Sequence, residues 1–98
     1  MFDPHSDQPR SEPETAPPWR EAHGPRPTMR SWDYADRPAL EALIDGRWRY
    51  CPVGARADYA DGRVAYHVTV WTLRTGGGTH RAYWWPQEGL RVARRRVR

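Results

Sequence analysis

The stretch Ala57-Asp58-Tyr59-Ala60-Asp61-Gly62-Arg63-Val64-Ala65-Tyr66 decides the fold class. Apolar and polar residues alternate on both sides of Asp61-Gly62, which is the period of a half-buried strand. Asp-Gly between two such runs predicts a hairpin closed by a two-residue type I′ turn. Working outward, Thr75-Gly76-Gly77-Gly78 predicts a second, four-residue loop, and Pro86-Gln87-Glu88-Gly89 a third turn. Strands are expected at 47–53, 55–60, 63–74, 79–85 and 90–96, with Pro52 and Gly54 making a bend or bulge between the first two.

The two hairpins constrain each other. A two-residue turn sets Tyr59 opposite Val64, Ala57 opposite Tyr66 and Ala55 opposite Val68. The four-residue loop sets Val70 opposite Tyr83 and Val68 opposite Trp85. Val64, Tyr66, Val68 and Val70 then share an expected core face with Ala55, Ala57, Tyr59, Tyr83 and Trp85, because a one-residue slip would reverse one strand. The other face carries Arg56, His67 and Thr69, with Trp71 and Trp84 as diagonal neighbours.

Five short antiparallel strands in this compass resemble the SH3-like small barrels, including Tudor and KOW-type modules. The likeness is carried by the aromatic strand, tight turn and second aromatic strand of 57–66. It implies a mainly β domain, either a five-stranded meander or a barrel, and no ligand set, since no Tudor cage residue is matched.

Upstream, Asp36 and Pro38 suit the start of a helix, and Leu40, Leu43 and Ile44 fall at i, i+3, i+4. With Gly46 as its left-handed stop, a short helix is expected near 37–45, docked on the sheet. Residues 1–30 hold seven of the ten prolines among Asp, Glu, Ser and Arg. Proline removes backbone donors and restricts its predecessor, so a disordered leader is expected there, and 31–98 form the small basic domain.

Charge breaks at the same boundary. Residues 1–45 carry nine acids and five arginines, whereas 46–98 carry three acids and eleven arginines. All sixteen basic residues are Arg, a usage that a GC-rich genome produces and that favours planar, bidentate anion contacts. Arg91, Arg94, Arg95 and Arg96 crowd the C-terminal end, and with Arg56 they are the expected phosphate contacts. Trp71 and Trp84 are the expected base-stacking rings. The alternative is a protein-interaction adaptor or small regulator working through the leader around Trp19 or through a sheet edge.

Catalytic chemistry has few carriers. Ser6, Ser11 and Ser31 lie in or beside the leader, Cys51 is the sole cysteine, and no Gly-Lys-Ser/Thr follows the glycine run. The expected pairing separates His67 from His80 along the hairpin, so no metal site and no cofactor are expected. Without a basic start, an apolar signal core or an apolar run of membrane-spanning length, the expected location is the cytoplasm. The sequence therefore predicts a non-enzymatic, basic β domain with nucleic acid or protein as partner.

Overall fold

The structure, a computed structural model, describes residues 12–71 and 77–93. Six antiparallel strands form an open sheet: β1 (Thr28–Ser31), β2 (Ala39–Ile44), β3 (Arg47–Asp58), β4 (Val64–Trp71), β5 (Gly78–Trp85) and β6 (Leu90–Val92). The strand order is β5-β4-β3-β2-β6, with β1 added to β3. Short 3₁₀ turns at Glu21–His23 and Tyr34–Asp36 are the helical elements among the described residues.

The expected helix at 37–45 is a strand. Leu40, Ala42 and Ile44 also satisfy a period of two, and all three are buried in the main core. What selects the strand is the turn that follows. Asp45 and Gly46 have φ of 53° and 76°, the pair of positive values that a type I′ turn requires, and Ile44 faces Arg47 across it. Residues 39–58 are thus one hairpin, and its long second strand supplies surfaces to three neighbours. The expected strands 47–53 and 55–60 are one continuous strand, β3, so with β1 and β2 added the strand number is six rather than five.

The Asp61-Gly62 turn is different from expectation in the opposite sense. The Tyr59 N–H donates to Arg63 O (2.9 Å) and the Gly62 N–H to Tyr59 O (3.0 Å), enclosing three loop residues with Gly62 at φ 91°. The Asp61 carboxylate accepts from the Arg63 N–H at 3.0 Å and closes the bend. One extra loop residue reverses strand parity. The partners are consequently Asp58↔Val64, Arg56↔Tyr66 and Ala57↔Ala65, not the expected set.

A bulge at Gly54 restores parity. Beyond it Val53 faces Val68, so Cys51 and Val53 join Val68, Val70, Tyr83, Leu90 and the β2 residues in one core. Trp32, Tyr66 and Trp85 pack at its margin. Ala57 and Ala65 lie on the reverse face and form a second cluster with Ala16, flanked by Tyr59, Ala82 and Trp84. The expected core face thus splits: Tyr66, Val68, Val70, Tyr83 and Trp85 belong to one side, Ala57 and Tyr59 to the other.

Part of the Pro-rich segment pairs along the edge of β5 and adds Ala16 to this reverse-face cluster. Thr15 bridges to Tyr83, the Ala16 N–H donates to Ala82 O (2.8 Å) and the Trp84 N–H to Glu14 O (3.3 Å). The Gln87 amide grips the same backbone from outside: its Oε1 accepts from the Glu14 N–H (2.7 Å) and its Nε2 donates to Glu14 O (2.9 Å). Pro13, Ala16 and Pro27 are buried, and residues 1–11 lie outside the described residues.

Candidate nucleic-acid interface

The reverse face of the sheet is left partly open at the end away from the leader. There Tyr50 and Pro52 of β3 share a side with Thr69 and Trp71 of β4, as a period of two and the bulge at Gly54 dictate. The 3₁₀ turn Tyr34–Asp36 sits over them, closed by the Asp36 N–H donating to Asp33 O at 2.9 Å. Tyr34, Ala35, Arg37, Tyr50, Pro52, Thr69 and Trp71 enclose a groove of about 350 Å³.

Its rings face solvent. Tyr34, Tyr50 and Trp71 are 85%, 61% and 57% exposed, which makes them three of the five large exposed apolar residues described. Apolar rings gathered in one groove mark a binding surface more readily than rings scattered singly. The Arg37 guanidinium lies 5.1 Å from the Tyr34 ring centroid, so a cation is held at the groove wall. Flat rings beside a cation suit a planar, negatively charged ligand such as a nucleotide strand.

The residues expected to form the interface do not come together. Trp71 lies opposite Gly78 and Trp84 opposite Ala65, so the two rings stand at opposite ends of the β4–β5 ladder. The expected pairing of Thr69 with Trp84 and of Val70 with Tyr83 is moved by four residues along each partner, which keeps faces and changes neighbours. Leu40 and Ile44 cover neither ring, since both side chains are in the main core. Trp84 is instead half-buried beside Ala16, with Arg63 at 4.3 Å from its ring and the Tyr59 ring at 5.2 Å.

The expected phosphate contacts that are described are already engaged. Arg56 donates to both carboxylate oxygens of Asp58 at 2.9–3.2 Å and lies 5.9 Å from the Tyr66 ring centroid. That hydrogen-bonded carboxylate is the main cause holding the Arg56 pKa above its ordinary value. Arg91 donates to Glu41 Oε1 at 2.7 Å while its guanidinium carbon sits 3.9 Å from the Trp48 ring centroid. Arg94, Arg95 and Arg96 lie outside the described residues.

A second concavity of about 450 Å³ lies between the leader and the sheet. Trp19, Pro27 and Met29 form one wall, and Ala57, His67, His80 and Ala82 the other. Here the four-residue change of register overturns another expectation: His67 and His80 are neighbours, with Nδ1 and Nε2 3.1 Å apart. Burial, then the neighbouring His80, lowers the His67 pKa below 6.5.

Tyr34 and Tyr50 were not among the expected site residues. Tyr50 could have been found by taking Asp45-Gly46 as a two-residue turn, since alternation with the apolar Cys51 then turns Tyr50 outward. Nothing local marks Tyr34, whose place depends on the fold of the turn over β3 and β4. Cys51 is fully buried, and desolvation raises its thiol pKa to about 11, which removes it as a nucleophile near neutrality. No group of three or more His, Cys, Asp or Glu gathers among the described residues, and no helix among them is long and apolar enough to cross a membrane. No protein-family model, curated protein or solved structure matches this chain.

Proposed function

We propose that the protein is a non-enzymatic accessory protein that binds single-stranded nucleic acid with weak sequence preference. Bases stack on Tyr34, Tyr50 and Trp71, and Arg37 with the C-terminal arginines meets the phosphates. The observation that carries this reading is the single groove shared by three exposed rings and a cation. Every base has an aromatic face, so ring stacking tolerates any sequence, at about 1–3 kcal/mol per base. The net charge of +4 draws polyanions toward the surface.

The test is a titration of the full chain with single-stranded oligonucleotides, followed by Trp fluorescence at low and moderate salt. Quenching that weakens with salt is expected, and Trp71→Ala should reduce affinity about tenfold or more. Replacing Arg94, Arg95 and Arg96 together by Ala should flatten the log–log salt slope by about 2 if each meets one phosphate of a single strand. Absence of quenching at low salt discards the reading.

A second reading, a protein-interaction adaptor, is favoured by the same lining. Two Tyr, one Trp and Pro52 form the kind of aromatic groove that accepts a polyproline II segment. A Pro-rich peptide that quenches Trp71 fluorescence where oligonucleotides do not would select it.

A further inference from the structure

His67 and His80 form a unit that neither reading uses. The β4–β5 register pairs Thr69 with His80 and His67 with Ala82, so the two imidazoles are diagonal neighbours on one face. Their ring centroids are 5.1 Å apart with planes inclined by 33°, and Nδ1 of His67 lies 3.1 Å from Nε2 of His80. Two imidazole nitrogens bound to one ion at about 2.0–2.1 Å, and this far apart, subtend an angle of about 100° at the metal. That angle falls between square-planar and tetrahedral geometry, so the spacing of a pair now joined by a hydrogen bond matches a chelating bite.

The surroundings restrict the ion. The pair opens into the concavity of about 450 Å³ under the leader, which leaves room for further ligands. No carboxylate lines it among the described residues, and Arg26 and Arg81 do. Calcium and magnesium demand oxygen donors and find none in sufficient number there. Imidazole suits late first-row ions, whose affinities peak at Cu²⁺. The two arginines favour an ion that arrives with an anionic co-ligand.

We propose that His67 and His80 are a bidentate site for a late first-row divalent ion, Cu²⁺ ahead of Ni²⁺ and Zn²⁺, completed by water or an exogenous anion in the leader cavity. Each ring binds as the neutral form, its proton moving to Nε2 of His67 and Nδ1 of His80, so two neutral rings release no proton. A ring that enters protonated releases one. Of the remaining histidines, His23 accepts the Arg20 N–H through Nδ1 at 3.2 Å, and His5 lies outside the described residues.

The test uses the chelator-treated full chain, titrated calorimetrically with Cu²⁺, Ni²⁺ and Zn²⁺ at neutral pH and at pH 5, with paramagnetic resonance of the Cu²⁺ form. One equivalent of Cu²⁺ with two nitrogen donors is expected, in the stated affinity order, with binding lost at pH 5. His80→Ala, a change at an exposed position, should weaken binding at least as much as the 10–100-fold typical of losing an outer-shell partner. His67→Ala should do the same, and the doubly substituted H5A/H23A chain should keep wild-type affinity. Circular dichroism of each variant separates loss of a ligand from loss of fold. Absence of Cu²⁺ uptake by the wild type, or undiminished uptake by a folded His80→Ala chain, overturns the site.

Discussion

Trp71 and Trp84 occupy opposite ends of one face of the β4–β5 hairpin, one open to solvent and the other held between Arg63 and Tyr59. The two rings therefore answer to different forces. Trp71→Ala removes a ring that is 57% exposed and should change stability by less than about 0.5 kcal/mol. Trp84→Ala removes a half-buried ring with two aromatic or cationic partners and should cost about 2 kcal/mol or more. Denaturant unfolding of both variants checks the difference; equal losses would contradict the placement of the two rings.

Gly46 carries the turn that makes 39–44 a strand. An alanine there must hold φ near 76°, which for an L side chain costs about 1–2 kcal/mol, although the added methyl meets nothing within 4 Å. Gly54 has no positive φ, and a methyl there meets only the His67 carbonyl oxygen at 3.8 Å. Gly46→Ala should lower Tm by several degrees while Gly54→Ala leaves it nearly unchanged. A harmless Gly46→Ala would argue for the helical alternative.

Gln87 holds Glu14 by two backbone hydrogen bonds and also donates to Trp84 O at 2.8 Å. Gln87→Ala should release the leader without unfolding the sheet, because the clamp lies outside both cores. Faster proteolysis near residues 12–20 at unchanged global Tm is the expected pattern. Gln87→Glu should also fail, since a carboxylate cannot donate to the Glu14 carbonyl oxygen and would set one acceptor against another.

The lowered His67 pKa ties stability to pH. A folded pKa below 6.5 means that the unfolded chain binds the proton more readily. The associated stability is complete above pH 6.5 and is lost as pH falls through the folded value. Burial is the first cause and the neighbouring His80 the second. Tm measured from pH 8 to 5 should decline below pH 6.5, and His67→Gln should flatten that part of the curve. A wild-type curve already flat over this range would contradict the burial of His67.

Local pattern made the β character legible, because alternation from 47 onward allows one face to be buried only as strands. The hairpin about Asp61-Gly62, the bulge at Gly54 and the mutual side of Val68, Val70, Tyr83 and Trp85 all follow from it. The charge break was equally visible, yet three of the described arginines of the basic half, Arg56, Arg63 and Arg91, are turned to local work. Arg56 serves Asp58, Arg63 serves Asp61 and Trp84, and Arg91 serves Glu41 and Trp48.

Two matters had no answer in periodicity. Leu40, Leu43 and Ile44 fit a helix while Leu40, Ala42 and Ile44 fit a strand, so periodicity alone does not choose; the turn at Asp45-Gly46 and a partner surface together do. The β3 edge and the β6 strand chose the second. Loop length was the other: one additional residue at Asp61-Gly62 reverses parity, and four residues of slide in β4–β5 leave parity intact while exchanging every neighbour. Alternation therefore determined which residues could share a face. Tertiary pairing alone decided which of them touch, separating Trp71 from Trp84 and joining His67 to His80.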